Sequence, residues 1–124
     1  MSKKTDSDWL DELSRVGCIV CRIHKGVFSP ALIHHIRNWH GERTGRNILY
    51  ALPLCYLHHD AKIEGVSFHE NSSLWKKLYG EQEDLMEAAH GLLLAQWANN
   101  VHPSKKTLID KFRKYLEVSG VDIS

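Results

Sequence analysis

All three cysteines of this chain fall into two short ligand pairs, Cys18-Ile19-Val20-Cys21 and Cys55-Tyr56-Leu57-His58. Each pair sets two donors three positions apart, the spacing at which a tight knuckle turns both onto one tetrahedral ion. An ion held by all four would tie two distant segments together and constrain everything between them. Three thiolates and one imidazole are the ligands of a closed structural zinc site, with no position left for water. The other readings of Cys18 and Cys21 are a redox dithiol or two buried thiols. A thioredoxin-like dithiol needs a βαβ unit, and the sequence shows none.

Between the pairs lies Ile33-His34-His35-Ile36, two adjacent histidines inside an apolar tetrad. As a short strand it would point its side chains alternately to opposite faces, one imidazole toward a metal and the other toward a substrate. His59 follows His58 directly, so it projects from another face of its helix, back toward that strand. One strand histidine and His59 are expected to hold a second divalent ion with open positions. The remaining strand histidine, neutral near pH 7, could then deprotonate a water to attack a phosphodiester. A lone histidine is more often an ordinary core or surface residue. Three in this arrangement argue for a site, whereas His24, His90 and His102 fall in no constellation.

At 124 residues the chain is expected to form one domain, small enough that a metal staple helps its modest core. A net charge of +1 excludes a globally basic nucleic-acid binder. The distribution is more telling: from Leu13 to Arg46, Arg15, Arg22, Lys25, Arg37, Arg43 and Arg46 face Glu42 alone, which concentrates positive field around the histidine pair. The odd cysteine count and the polar start Met1-Ser2-Lys3-Lys4-Thr5-Asp6 point away from a secreted disulfide scaffold and toward a reducing cytoplasm. No membrane span is expected, since apolar runs such as Leu92-Leu93-Leu94-Ala95 are far too short.

The patterning predicts a helix over 5–16, capped by Thr5 or Ser7 and stopped by Gly17, then the Cys18 knuckle. A strand over 31–37, a loop over 38–47 and an antiparallel strand over 48–54 follow, with Pro53 at an edge or end. A short helix over 58–64 ends at Gly65. Three more helices are expected: one capped near Asn71 and stopped at Gly80, one over 81–98 with an acidic start, and one over 104–118. Asn99-Asn100 and Pro103 separate the last two.

The order Cys-x-x-Cys, His34-His35, Asn47 and Leu54-Cys55-x-x-His58-His59 resembles the HNH (ββα-metal) endonucleases in their zinc-stapled form. The wider string is similar to a RecA-dependent, phage-recombination branch of those enzymes: Leu13-Ser14-Arg15-Val16, Gly17-Cys18-Ile19-Val20-Cys21, Ser29-Pro30-Ala31, Ile33-His34-His35-Ile36-Arg37 and Pro53-Leu54-Cys55 with His58-His59. The resemblance implies an α+β fold: a small zinc-stapled ββα-metal core over about residues 13–70, with a mostly helical extension over about 71–124, in one domain. It implies structural Zn²⁺ on Cys18, Cys21, Cys55 and His58, with His35 as general base and His34 and His59 as ligands of a catalytic Mg²⁺ or Mn²⁺. Asn47 would orient the base. Many such helices offer a further histidine four residues on, but Ile63 stands there, so His69 is the candidate third ligand. The implied reaction is DNA hydrolysis leaving 3′-hydroxyl and 5′-phosphate ends, with a RecA filament as possible partner. Lys25, Arg37, Arg43 and Arg46 are candidate phosphate contacts, and Trp39 and His40 could stack on a base or wedge a groove. Two other functions fit the same residues, a zinc-stabilised DNA-binding or interaction module without catalysis and a resolvase of branched DNA.

Overall fold

The computed structural model describes residues 3–99 and 104–123 as an α+β fold, about half of it helical. Asn100 and Pro103 of the expected separator lie outside the described residues. Helix α1 (Lys3–Ser14) starts two residues before the expected caps, because the straight-chain Lys3 and Lys4 continue the helix upstream. Trp9 and Leu13, four apart, form its buried face. Gly17, at φ +80°, ends the segment, and a Cβ there would stand 2.7 Å from the Phe28 ring and 2.9 Å from the Ser29 carbonyl oxygen. Backbone conformation and space both call for glycine at that point.

What the pattern suggests as a knuckle is a short six-residue helix, α2 (Ile19–His24), whose Ile19 and Val20 are buried. Strand β1 (Leu32–His35) follows. The segment expected to be a loop contains a small hairpin, β2 (Asn38–Trp39) and β3 (Glu42–Arg43), turned through His40 and Gly41 at φ 50° and 84°. Two central residues at positive φ are what a tight hairpin needs for its twist, and glycine supplies only one of them.

Strand β4 (Ala51–Leu54) pairs antiparallel to β1, Leu32 opposite Leu54 and His35 opposite Ala51. It begins three residues later than expected, because Ile48 to Tyr50 form a turn: Leu49 N–H donates to Asn47 Oδ1 at 3.0 Å and Tyr50 N–H to the Asn47 carbonyl at 3.1 Å. Helix α3 (Tyr56–Asp60) comes directly after β4 and is shorter than expected. The chain then folds back along it. Ser67 Oγ donates to the Leu57 carbonyl at 2.8 Å, Phe68 N–H to that of His58 at 2.9 Å and His69 N–H to that of His59 at 3.2 Å.

Helix α4 (Ser72–Tyr79) is capped by Asn71, whose side chain accepts from Leu74 N–H, and stops at Gly80 with φ 114°. Helix α5 (Gln82–Ala98) is the axis of the molecule, packed on β4, α1, α2 and the last helix, α6 (Lys105–Glu117). Trp9, Trp97, Phe112 and Tyr115 form the aromatic end of a continuous core, with Trp9 and Tyr115 stacked at 5.0 Å between ring centroids. That core reaches Cys18, Cys21 and Cys55, so α5 buttresses the sheet that bears the histidines. Among the described residues no helix is long and apolar enough to cross a membrane.

Candidate metal centres and the cleft between them

Cys18, Cys21, Cys55 and His58 converge as one buried cluster. Cys18 caps α2 and Cys21 lies one turn on; Cys55 caps α3 and His58 lies one turn on. The two helix starts thus present their donors to each other. His58 Nδ1 lies 3.5 Å from Cys18 Sγ, 3.6 Å from Cys21 Sγ and 3.2 Å from Cys55 Sγ, and Cys21 Sγ lies 3.9 Å from Cys55 Sγ. A tetrahedron with ordinary zinc bond lengths has edges of about 3.8 Å between sulfurs and about 3.5 Å between sulfur and nitrogen. The donors therefore sit where an ion at their centre needs them. Burial pushes the Cys18 thiol up to about 12, so an ionised sulfur in this place requires a cation beside it. Burial, then Lys25 and His24, hold His58 below the usual histidine range, which keeps the imidazole neutral as a ligand must be. These four residues are placed to bind a metal.

A second cluster joins His34, His59 and His69. It is open: His34 is buried, His59 half-buried and His69 exposed. His59 Nε2 and His69 Nε2 lie 3.0 Å apart, about the edge of an octahedron whose bonds are about 2.1 Å long. The His34 ring stands 5.2 Å and 5.3 Å from theirs, centroid to centroid. His34 Nε2 is 2.8 Å from Gln82 Oε1, and the amide oxygen can only accept, so Nε2 carries the proton. That leaves His34 Nδ1 with a free lone pair, buried and without a hydrogen-bond partner. A buried lone pair with no hydrogen-bond partner, on a residue of this cluster, is what a bound cation would satisfy. Burial lowers His34 to about 4 and, with the neighbouring His69, lowers His59 too, which favours the neutral, metal-binding form of both.

His35 shares a cleft of about 240 Å³ with this cluster, walled also by Ile33, Arg37 and Arg46. His34 and His35 therefore line one cavity although they alternate along β1. His35 Nδ1 is buried without a partner, and Nε2 makes no hydrogen bond among the described residues, so Nε2 is the accessible nitrogen. Burial first, then Arg46 and Arg37, hold His35 below its ordinary value, in the neutral form that accepts a proton.

Of the other sequence candidates, Arg37 and Arg46 reach the cleft. Arg43 is exposed on β3, and Lys25 lies beside His58 at the first cluster. Asn47 is not brought to His35: it is exposed, and its Oδ1 accepts from Leu49 N–H. His40 stands 3.7 Å from Glu83, and Trp39 packs on Tyr50. Sequence reasoning missed Gln82. The available signal was a polar residue standing three and four positions before Leu85 and Met86, on the apolar stripe of α5.

A small α+β fold with a closed Cys₃His set placed to bind a metal, and an open histidine set beside Arg37 and Arg46 that could hold another, defines the class of protein. The chain belongs to the family described as recombination enhancement, RecA-dependent nuclease, whose sequence model matches residues 3–94. Both clusters and Gln82 lie inside the matched span, and α6 lies outside it. No curated protein and no solved structure matches the chain.

Proposed function

We propose that this protein is a metal-dependent DNA endonuclease of the HNH type, acting in recombination on DNA presented by a RecA filament. The observation that carries the reading is the convergence of His34, His59 and His69 with His35 in one cleft flanked by Arg37 and Arg46. The strand pair β1–β4 followed at once by α3 supports a ββα-metal core, pinned by Zn²⁺ on Cys18, Cys21, Cys55 and His58. The core and the helices after it act as one domain.

In this reading His34 Nδ1, His59 Nε2 and His69 Nε2 hold the catalytic ion. An ion there supplies charge stabilisation for the pentavalent phosphorus and the departing oxygen. An all-imidazole set suits Mn²⁺ better than the harder Mg²⁺. His35 Nε2 takes the proton of the attacking water, the water's oxygen forms the new bond to phosphorus, and the P–O3′ bond breaks, O3′ taking a proton from solvent, which leaves 5′-phosphate and 3′-hydroxyl ends. Arg37 and Arg46 hold the strand by its phosphates, and Arg43 and Lys25 serve as outer contacts. Asn47 belongs to the turn before β4, and His35 is held by burial instead. A RecA-dependent enzyme of this kind works in the cytoplasm.

Nicking of supercoiled plasmid with Mn²⁺ or Mg²⁺, with and without RecA filaments, tests the proposal. Cleavage by the wild type that His35→Ala abolishes supports it. No cleavage with either ion in the presence of RecA, or full cleavage by the variant, sinks it.

A further inference from the structure

The cleft does not end at the histidines. A second hollow of about 230 Å³ is walled by Asn38, Phe68, Lys76 and Gln82 and shares His34, His35, Arg37 and His69 with the first. Two hollows with four walls in common are lobes of one trough, with the imidazoles on the saddle between them. Along it the cations run in order: Arg46 in the first lobe, Arg37 common to both, Lys76 in the second. No carboxylate lines either lobe among the described residues.

Lys76 sits on α4, a helix otherwise occupied with the core through Trp75. It is half-buried, and its ammonium forms no ion pair among the described residues. A trough with cations at both ends and none of the opposite sign suits a polyanionic strand, not a single small anion.

We propose that the Lys76 lobe is a binding subsite for a phosphodiester flanking the scissile one, so that the enzyme grips its strand on both sides of the histidines. This rests on the nuclease reading above and names where the strand continues. Lys76 contacts a phosphate that does not react, so it contributes binding along the strand and carries no sequence information.

The test is equilibrium binding of a fluorescent single-stranded oligonucleotide, with no divalent ion added, across a salt series. For a single strand each phosphate contact contributes about 0.7 to the slope of log affinity against log salt. Lys76→Gln should lower that slope by about one such contact, whereas Lys76→Arg should keep it. Lys77→Gln, an exposed neighbour that lines neither lobe, should match the wild type. Should the wild type bind and Lys76→Gln leave the slope unchanged, the subsite is wrong while the nuclease reading stands. If the wild type binds no strand at any salt, the subsite is wrong, and the nicking assay with RecA decides the nuclease reading separately.

Discussion

The two donor clusters share a construction and differ in what encloses them. Each takes one histidine from α3, where His58 and His59 are neighbours in sequence; the closed set adds Cys18, Cys21 and Cys55 from two helix starts, the open set His34 from β1 and His69 from the segment folded back along α3. His58 turns inward and meets three sulfurs, and all four donors there are buried. His59 turns outward and meets imidazoles beside a cleft, with exposure rising from His34 through His59 to His69. Soft anionic donors sealed from water make a site that can only hold an ion. Neutral donors with one side open make a site where an ion still has room for water and substrate. The difference teaches that one helical turn can divide its two faces between a sealed donor set and an open one.

The largest effect should come from emptying the closed cluster. Structural zinc contributes apparent binding free energies of about 10–16 kcal/mol in small zinc-dependent folds, comparable with or above a whole domain's stability. Zinc removal by a strong chelator, or Cys55→Ser, should therefore abolish the cooperative melt followed by circular dichroism. His59→Ala should leave that melt in place. A metal-free protein that melts like the loaded one would erase the distinction between the clusters.

At the open cluster the expected losses are in rate. A positioned general base contributes about 10²–10⁴-fold, so His35→Ala should cut plasmid nicking by that range while zinc content and melting stay at wild-type values. Equal loss of activity and of fold would show that His35 is part of the scaffold.

Legibility in the sequence divides along the same line. The closed cluster could be read directly, because Cys18 with Cys21 and Cys55 with His58 carry their geometry in local spacing. The open cluster depends on contacts between distant segments. His69 was reached only because Ile63 could not serve, and what brings it to His59 is backbone pairing of 68–69 with 58–59, locked by the Ser67 hydroxyl. Gln82 stands 48 residues from His34 and sat unnoticed in a helix read for its acidic start. The β2–β3 hairpin was hidden because its turn puts His40, not only a glycine, at positive φ. Asn47 was read from its motif position, and the structure shows it in a local turn, its Oδ1 accepting from Leu49 N–H and its carbonyl from Tyr50 N–H.

Gln82 gives the next test of the comparison, since it acts on the open cluster from outside it. By accepting from Nε2–H it fixes the His34 tautomer, and losing such a partner typically weakens metal binding about 10–100-fold. Gln82→Leu should show that loss in Mn²⁺ titrations. Gln82→Glu, which still accepts at Nε2, should retain the affinity. Nitrogen chemical shifts of His34 in the metal-free protein should report a mixed tautomer in the leucine variant alone. Unaltered affinity in Gln82→Leu would leave the tautomer without consequence for the site.

The smallest effect concerns a histidine that belongs to neither cluster. His90 on α5 is buried against Trp9, and Ser119 Oγ, 2.7 Å from its Nδ1, already donates to the Leu116 carbonyl, so Nδ1 carries the proton. Its Nε2 is buried without a partner, as His34 Nδ1 is, but His90 belongs to no donor cluster among the described residues. Burial lowers His90 from 6.5 to about 4. Above pH 6.5 both folded and unfolded chains hold it neutral, and pH has no hold on it. As pH falls below that value the unfolded chain gains a proton that the folded chain refuses, so stability declines, and the decline ends only near the folded value. One such proton gives a slope of up to about 1.4 kcal/mol per pH unit. Denaturant unfolding between about pH 6.5 and 5, above the range where buried sulfur ligands dominate acid denaturation, should show His90→Gln with the shallower dependence, by up to one proton. Parallel slopes for wild type and variant would mean that His90 opens to solvent as readily as the histidines of the cleft, and that burial alone does not separate it from them.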